Sequence, residues 1–204
     1  GVFIEIPIVN KVRERVDIWR QNEYPGVTTT TKKLLRHWRD QDQRNFPFFF
    51  CQLEAIETLI WFIETGDNEK IGIQIEQQNI SFERLCCKMA TGSGKTVVMS
   101  MLIAWQALNK IENPRDTRFS KVFLIVTPGH TVRRRLSVLN HSDKNNYYDT
   151  YNIIPFTYKD KFSSSQIFVR NWQSLSWDNE EKIKKRKSVD KRGPISDEAY
   201  IRNI

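Results

Sequence analysis

The sequence predicts an α/β fold: a parallel sheet flanked by helices, preceded by a helical extension. Three observations carry that expectation. Apolar runs at 85–89, 121–127 (KVFLIVT) and 166–169 (QIFV) have strand length, and the continuous run at 121–127 suits a strand covered on both faces. A glycine-rich turn at 92–94 joins the first run to an apolar helical stretch at 95–110. Before residue 64, apolar residues recur at steps of three and four, the period of an amphipathic helix.

Each element has its own signal. Val9, Val12, Val16 and Trp19 share one helical face, with Lys11, Arg13, Glu14 and Arg15 turned outward. YPGVTTTT (24–31) breaks that helix, and its threonines can cap a second one carrying Leu34, Leu35 and Trp38. NFPFFF (45–50) is a hydrophobic connector. From Gln52, the residues Leu53, Ile56, Leu59, Ile60 and Ile63 mark a third helix, closed near Gly66. Residues 66–81 are polar and read as a loop with a weak strand at 71–75. A buried strand at 85–89, the helix at 95–110, a turn at ENPRD (112–116), the strand at 121–127, a short helix at 131–139 and the strand at 166–169 follow. Strands alternating with helices imply a parallel sheet. The expected organisation is a helical extension at 1–65, a loop at 66–84, an α/β lobe at 85–177 and a basic solvated tail or insert at 178–204.

Bulk properties narrow the function classes. A chain of 204 residues suits one domain, and 39% hydrophobic with 27% charged residues argues against wholesale disorder. The net charge of +8 suits a polyanionic partner without specifying one. Most of that excess is local: Lys182, Lys184, Lys185, Arg186, Lys187, Lys191 and Arg192 face the single acid Asp190. Cys51, Cys86 and Cys87 are too few and badly spaced for a disulfide framework, so reduced thiols and a cytoplasmic location are expected. The longest apolar run, 59–63, is too short to span a bilayer, so no membrane partner is expected. No signal peptide opens the chain, and Gly1 in place of Met suggests that residues precede it.

The turn Gly92, Ser93, Gly94, Lys95, Thr96 has the composition of a phosphate cradle. Glycines let the backbone approach phosphate oxygens closely. Backbone N–H groups and the positive end of the following helix face the anion. Lys95 adds a mobile charge for the outer phosphates, and Thr96 a hydroxyl for Mg²⁺. The strict spacing would put glycine at position 89, where this chain has Met89.

KMATGSGKTVVMSMLIAWQ (88–106), FLIVTPGHTVRRRLSVL (123–139) and FFCQLEAIETLIW (49–61) together resemble the superfamily 2 DEAD/DEAH-type helicases. The chain is most similar to their restriction-type group, the Res subunit of type III restriction enzymes and its relatives. There the phosphate loop commonly begins Met-Ala-Thr-Gly, which accounts for Met89. PIVNKVRERVDIWR (7–20) and IFVRNWQSL (167–175) fit as well. The resemblance implies an incomplete first RecA-like lobe that uses ATP and Mg²⁺ and acts on double-stranded DNA, with a modification methyltransferase subunit as partner. It implies catalytic roles for Lys95 and Thr96, and nucleotide binding by Gln52, Thr91, Gly92, Ser93, Gly94, Lys95 and Thr96. Thr96 would reach Mg²⁺ through the bound nucleotide. Thr127, Pro128, Gly129, Arg133 and Asn171 are the implied nucleic-acid contacts. Each also has a plain reading: Gln52 as a polar helix start, Arg133–Arg135 as a solvated face, Trp172 as a core or strand-end aromatic.

Hydrolysis needs an acidic pair at the end of a buried strand. Asp197-Glu198-Ala199 follows Gly193 and Pro194, which argues against a central strand there. The chain is therefore expected to stop before its acidic strand, without a second lobe, and to have negligible turnover alone. Two other classes stay open at this point: a small-molecule kinase or nucleotide-binding regulator, and a non-catalytic remnant that binds nucleic acid through its basic stretch.

Overall fold

Why the chain folds as it does is clearest from its four long helices, seen in a computed structural model that describes residues 6–40, 42, 44, 46–73 and 85–172. Helix α1 (Pro7–Gln21) starts with proline at its first position, where a missing N–H costs nothing. It buries Val16 and Trp19 and ends in a tight reversal: Trp19 Nε1 donates to Pro25 O at 2.9 Å, and Tyr24 packs edge-on against Trp19. Helix α2 (Thr29–Arg39) is capped by Thr28, whose hydroxyl accepts from Thr31 N at 3.0 Å, as the threonine run predicts. Its buried face is Leu34, Leu35 and Trp38.

Helix α3 (Phe50–Glu64) packs against α1, α2 and α4. Glu57 in its middle is 1% exposed and is held by Arg20 at 3.1 Å and by both arms of Arg39 at 2.6 and 2.7 Å. Helix α4 (Lys95–Glu112) is the axis of the core. It buries a stripe of Val97, Met101, Trp105 and Leu108 and, on other faces, Ile103 and Ala107, and meets α2 and α3 as well as the β1–β2 connection.

Strands β1 (Val122–Thr127) and β2 (Gln166–Asn171) pair in parallel, in register from Val122 with Gln166 to Thr127 with Asn171. Their connection holds α5 (His130–Arg135), a 3₁₀ turn at Leu136–Leu139, α6 (Tyr147–Thr150), a second such turn at Phe156–Tyr158 and α7 (Lys159–Phe162). Helix α2 anchors it: Trp38 Nε1 donates to Ile153 O at 2.9 Å, and His37 Nε2 lies 2.7 Å from Asn152 O.

Three expectations need correction, and one open alternative is decided. Residues 85–90 form no strand; Leu85 is 47% exposed, and Cys86 and Cys87 are exposed. A strand exists through its ladder partners, and among the described residues none pairs with this run. Strand β1 is covered on one face only: Ile125 and Thr127 are buried, while Val122, Leu124 and Val126 on the other face are about half exposed. The start of the expected strand at 71–75 is a turn at Ile71 and Gly72, preceded by a 3₁₀ turn at Asp67–Lys70; residues 74 and 75 lie outside the described residues, as does the basic stretch at 182–192. Trp172 follows β2 directly and is 53% exposed, a strand-end aromatic and not a core one.

Candidate functional site

The glycine turn sits where α4 begins. Gly92 and Gly94 both have φ +80°, the left-handed region that disfavours any side chain. Gly94 is the residue that caps α4, and no side chain caps in its place, so the first N–H groups of an 18-residue helix are presented to whatever lies in the turn. The turn closes on one carbonyl. Ser93 Oγ donates to Ala90 O at 2.7 Å, and Lys95 Nζ donates to the same oxygen at 2.6 Å. Lys95 is exposed and Thr96 half-buried. The cluster thus holds one ammonium, the hydroxyls of Thr91, Ser93 and Thr96 and a set of helix-terminal donors, with no carboxylate on the turn itself.

Gln52 meets this turn from α3, although 41 residues separate it from Ser93. It is 5% exposed. Its Nε2 donates to Ser93 O at 3.1 Å, while its Oε1 accepts from Phe49 N at 2.9 Å and so satisfies a free donor at the start of α3. A Cβ added to Gly94 would collide with Gln52 Nε2 and lie 3.2 Å from its Cδ. A side chain at 94 would therefore be strained by the backbone and would push the amide end of Gln52 off its place on the turn. Cys51 Sγ also approaches Ser93 O, at 3.8 Å. Phe49 and Phe50, at the same helix end, are exposed. Gln52 does serve the helix start, through Phe49 N, but it is buried and not a surface residue.

The second group of candidates is at the carboxyl ends of the strands. Thr127 and Asn171 are register partners on adjacent strands, and both are buried. Thr127 Oγ1 donates to Gly129 O at 3.4 Å, a long bond that turns the chain toward α5. Pro128 follows β1 directly, and Gly129 is extended, a conformation open to any residue. Of the three consecutive arginines, Arg133 and Arg134 line an open groove of about 570 Å³ with His130, Asn140 and Arg170; its floor is Ile167 and Val169, and Asp143 is the acid on its wall. Ala90, whose carbonyl gathers three donors, and Arg170, which joins the groove, carried no signal as site residues: a backbone acceptor has no side chain to read, and Arg170 comes to the groove only through the placement of β2 against α5.

Among the described residues there is no cluster of three or more His, Cys, Asp or Glu able to hold a metal, and no helix long and apolar enough to cross a membrane. No curated protein and no solved structure matches the chain. The family model described as "Type III restriction enzyme, res subunit" matches residues 45–200. That span takes in α3 with Gln52, the glycine turn, both strands and the basic groove, and leaves α1 and α2 outside it. Matched by that model over most of its length, the chain belongs to the family of the type III restriction enzyme res subunit.

Proposed function

We propose that the turn at 91–96 binds ATP with Mg²⁺, as the nucleotide site of a helicase-type ATPase of a restriction system acting on double-stranded DNA. The observation that carries this reading is the meeting of Gln52 with Ser93 and Gly94. A buried amide held against a glycine turn puts a group able to read adenine beside groups able to bind phosphate. The donors suit a triphosphate: backbone N–H groups from Thr91 to Thr96 for its oxygens, Lys95 for the outer phosphates and the Thr96 hydroxyl for a nucleotide-bound Mg²⁺. The metal would neutralise charge on the phosphates. Lys95 would exchange its bond to Ala90 O for one to a phosphate oxygen, while Ser93 keeps that carbonyl engaged and the turn closed.

In this reading α4, β1 and β2 are part of a RecA-like lobe at 85–177, and α1 to α3 form an extension at 1–65 that brings Gln52 to the nucleotide. The buried pair Thr127 and Asn171 shapes the strand ends, and Pro128, Gly129 and Arg133 present the backbone and charge for a sugar–phosphate strand. A modification methyltransferase subunit is the partner the family suggests.

The test is equilibrium binding of a fluorescent ATP analogue with Mg²⁺. Removing one charged hydrogen-bond donor to phosphate costs about 1.5–3 kcal/mol, so Lys95→Ala should weaken binding roughly 10- to 100-fold. Gln52→Ala should erase any preference for adenine over guanine nucleotides. Equal affinity of the wild type and Lys95→Ala would sink the proposal.

A further inference from the structure

We infer that Glu64, Trp105 and Thr31 are positioning residues that set α3 against α4 and thereby hold Gln52 at the glycine turn. The inference rests on the nucleotide reading for its functional meaning and stands on a separate part of the molecule for its geometry.

Glu64 ends α3 and is 5% exposed. Its carboxylate is met by neutral donors. Oε1 accepts from Trp105 Nε1 at 2.6 Å and from the Thr31 hydroxyl at 2.5 Å, and Oε2 accepts from Thr28 N at 2.8 Å. Arg118 contributes favourable charge from farther off and is itself paired to Asp116. Asn109, one turn after Trp105 on α4, extends the network. Its Nδ2 donates to Thr31 Oγ1 at 2.8 Å and to Trp105 O at 2.9 Å, and its Oδ1 accepts from the Thr28 hydroxyl. Trp105 and Asn109 are fully buried.

The placement of this network gives it a role. Gln52 and Glu64 lie near opposite ends of α3, about 18 Å apart at 1.5 Å per residue. Lys95 and Trp105 are separated by about 15 Å along α4 on the same measure. The two helices are therefore pinned together twice, by Gln52 on Ser93 at one end and by Glu64 on Trp105 at the other. One pin leaves the angle between two helices open, whereas two define it. Apolar packing between them tolerates small rotations. A carboxylate accepting three directional bonds in a dry site does not, because any rotation leaves a buried polar group unsatisfied. Thr28 and Thr31 come from the capped start of α2, outside the span matched by the family model. The extension therefore takes part in aligning the nucleotide site.

The experiment uses the full chain with Cys86→Ser and Cys87→Ser, which leaves Cys51 as the sole thiol. Cys51 lies on the Gln52 end of α3, against Ser93, so its rate of maleimide labelling reports whether that end stays on the turn. Trp105→Phe keeps an aromatic side chain but removes the donor and part of the indole volume; Thr31→Val, nearly isosteric, is the companion that removes a hydrogen-bonding group without a cavity. Leu108→Ala, a fully buried residue of α4 outside the network, serves as the control for general destabilisation. We expect Trp105→Phe or Thr31→Val to raise the labelling rate about fivefold or more through local opening, and Leu108→Ala at a matched loss of Tm to leave it unchanged. We expect ATP affinity to fall several-fold in the same variants when Gln52 is present and little in a Gln52→Ala background, the signature of coupling in a double-mutant cycle. Labelling that tracks Tm alone, equally in Leu108→Ala, or additive effects with Gln52→Ala, would overturn the inference. If the wild type binds no ATP, the nucleotide reading fails while the labelling still decides the positioning role.

Discussion

Gly94 is constrained twice, by a left-handed backbone and by the amide of Gln52, whereas Gly92 has the same φ of +80° and nothing within 4 Å of a would-be Cβ. Alanine at either position costs about 1–2 kcal/mol for the backbone alone. Only Gly94→Ala must also expel Gln52, so it should lose more stability than Gly92→Ala and lose the Gln52-dependent adenine preference as well. Equal Tm losses for the two variants would contradict the contact. Glu64 offers a second residue-scale test. Desolvation holds its carboxyl above the ordinary glutamate range, against the pull of its donors from Thr31, Thr28 and Trp105. Between the ordinary value and the raised one, the folded state binds the extra proton, so this residue's contribution to stability falls as pH climbs through that window. Glu64→Gln should remove that slope in urea titrations run from the ordinary glutamate range upward, while costing about 1–3 kcal/mol because its amide would face the Thr28 N–H donor-to-donor. A wild-type minus variant difference that does not change with pH would refute the assignment. The glycine turn at the start of α4 was legible because turn chemistry is local. The meeting of Gln52 with Ser93 was not, because 41 residues of intervening fold decide it; only a resemblance to known relatives pointed there.

At the scale of elements, the helices were legible and the strands only half so. The spacing of Val16 and Trp19, of Leu34 and Trp38, and of Ile56 and Ile60 marks faces that the fold does bury, since a helix satisfies its own backbone and asks only for one apolar stripe. Residues 85–89 have an equally apolar look but depend on neighbours for every ladder bond, and a sequence run does not name its neighbour. What joins the helices is polar and was equally hidden. Glu57 is held by Arg20 and Arg39, and it faces the Tyr24 hydroxyl at 3.4 Å, whose pKa burial and the adjacent carboxylate push up to about 12. This one carboxylate ties α1, α2 and α3 together. Glu57→Ala should cost about 3 kcal/mol, the lower end for a broken buried pair, because Arg20 and Arg39 keep 25% and 33% of their side-chain surface exposed to water. Chemical denaturation checks it. A loss below about 1 kcal/mol, the worth of a surface ion pair, would show that the clamp is not a buried one.

For the whole molecule, the sequence's charge of +8 becomes a question of where a polyanion would lie. Two regions compete. One is the groove of Arg133, Arg134, His130 and Arg170 between α5 and β2. The other is the run of seven basic residues at 182–192, which lies outside the described residues. Composition alone could not separate them, because net charge carries no geometry. The groove has an apolar floor from Ile167 and Val169, and guanidiniums on a short helix that follows the strand end where Thr127 and Asn171 are buried. Counterion release makes the distinction measurable. Each phosphate neutralised contributes a slope of about −0.9 in log affinity against log salt for duplex DNA. If the groove engages DNA, Arg133→Ala with Arg134→Ala should flatten that slope by about 1 to 2, and the remaining slope should flatten again when 182–192 is deleted. The measurement is fluorescence anisotropy of a labelled duplex between about 50 and 200 mM salt, the range over which such contacts change affinity most visibly. If the double arginine variant keeps the wild-type slope and the deletion abolishes binding, the strand-end groove has no part in holding DNA, and the basic run alone accounts for the attraction.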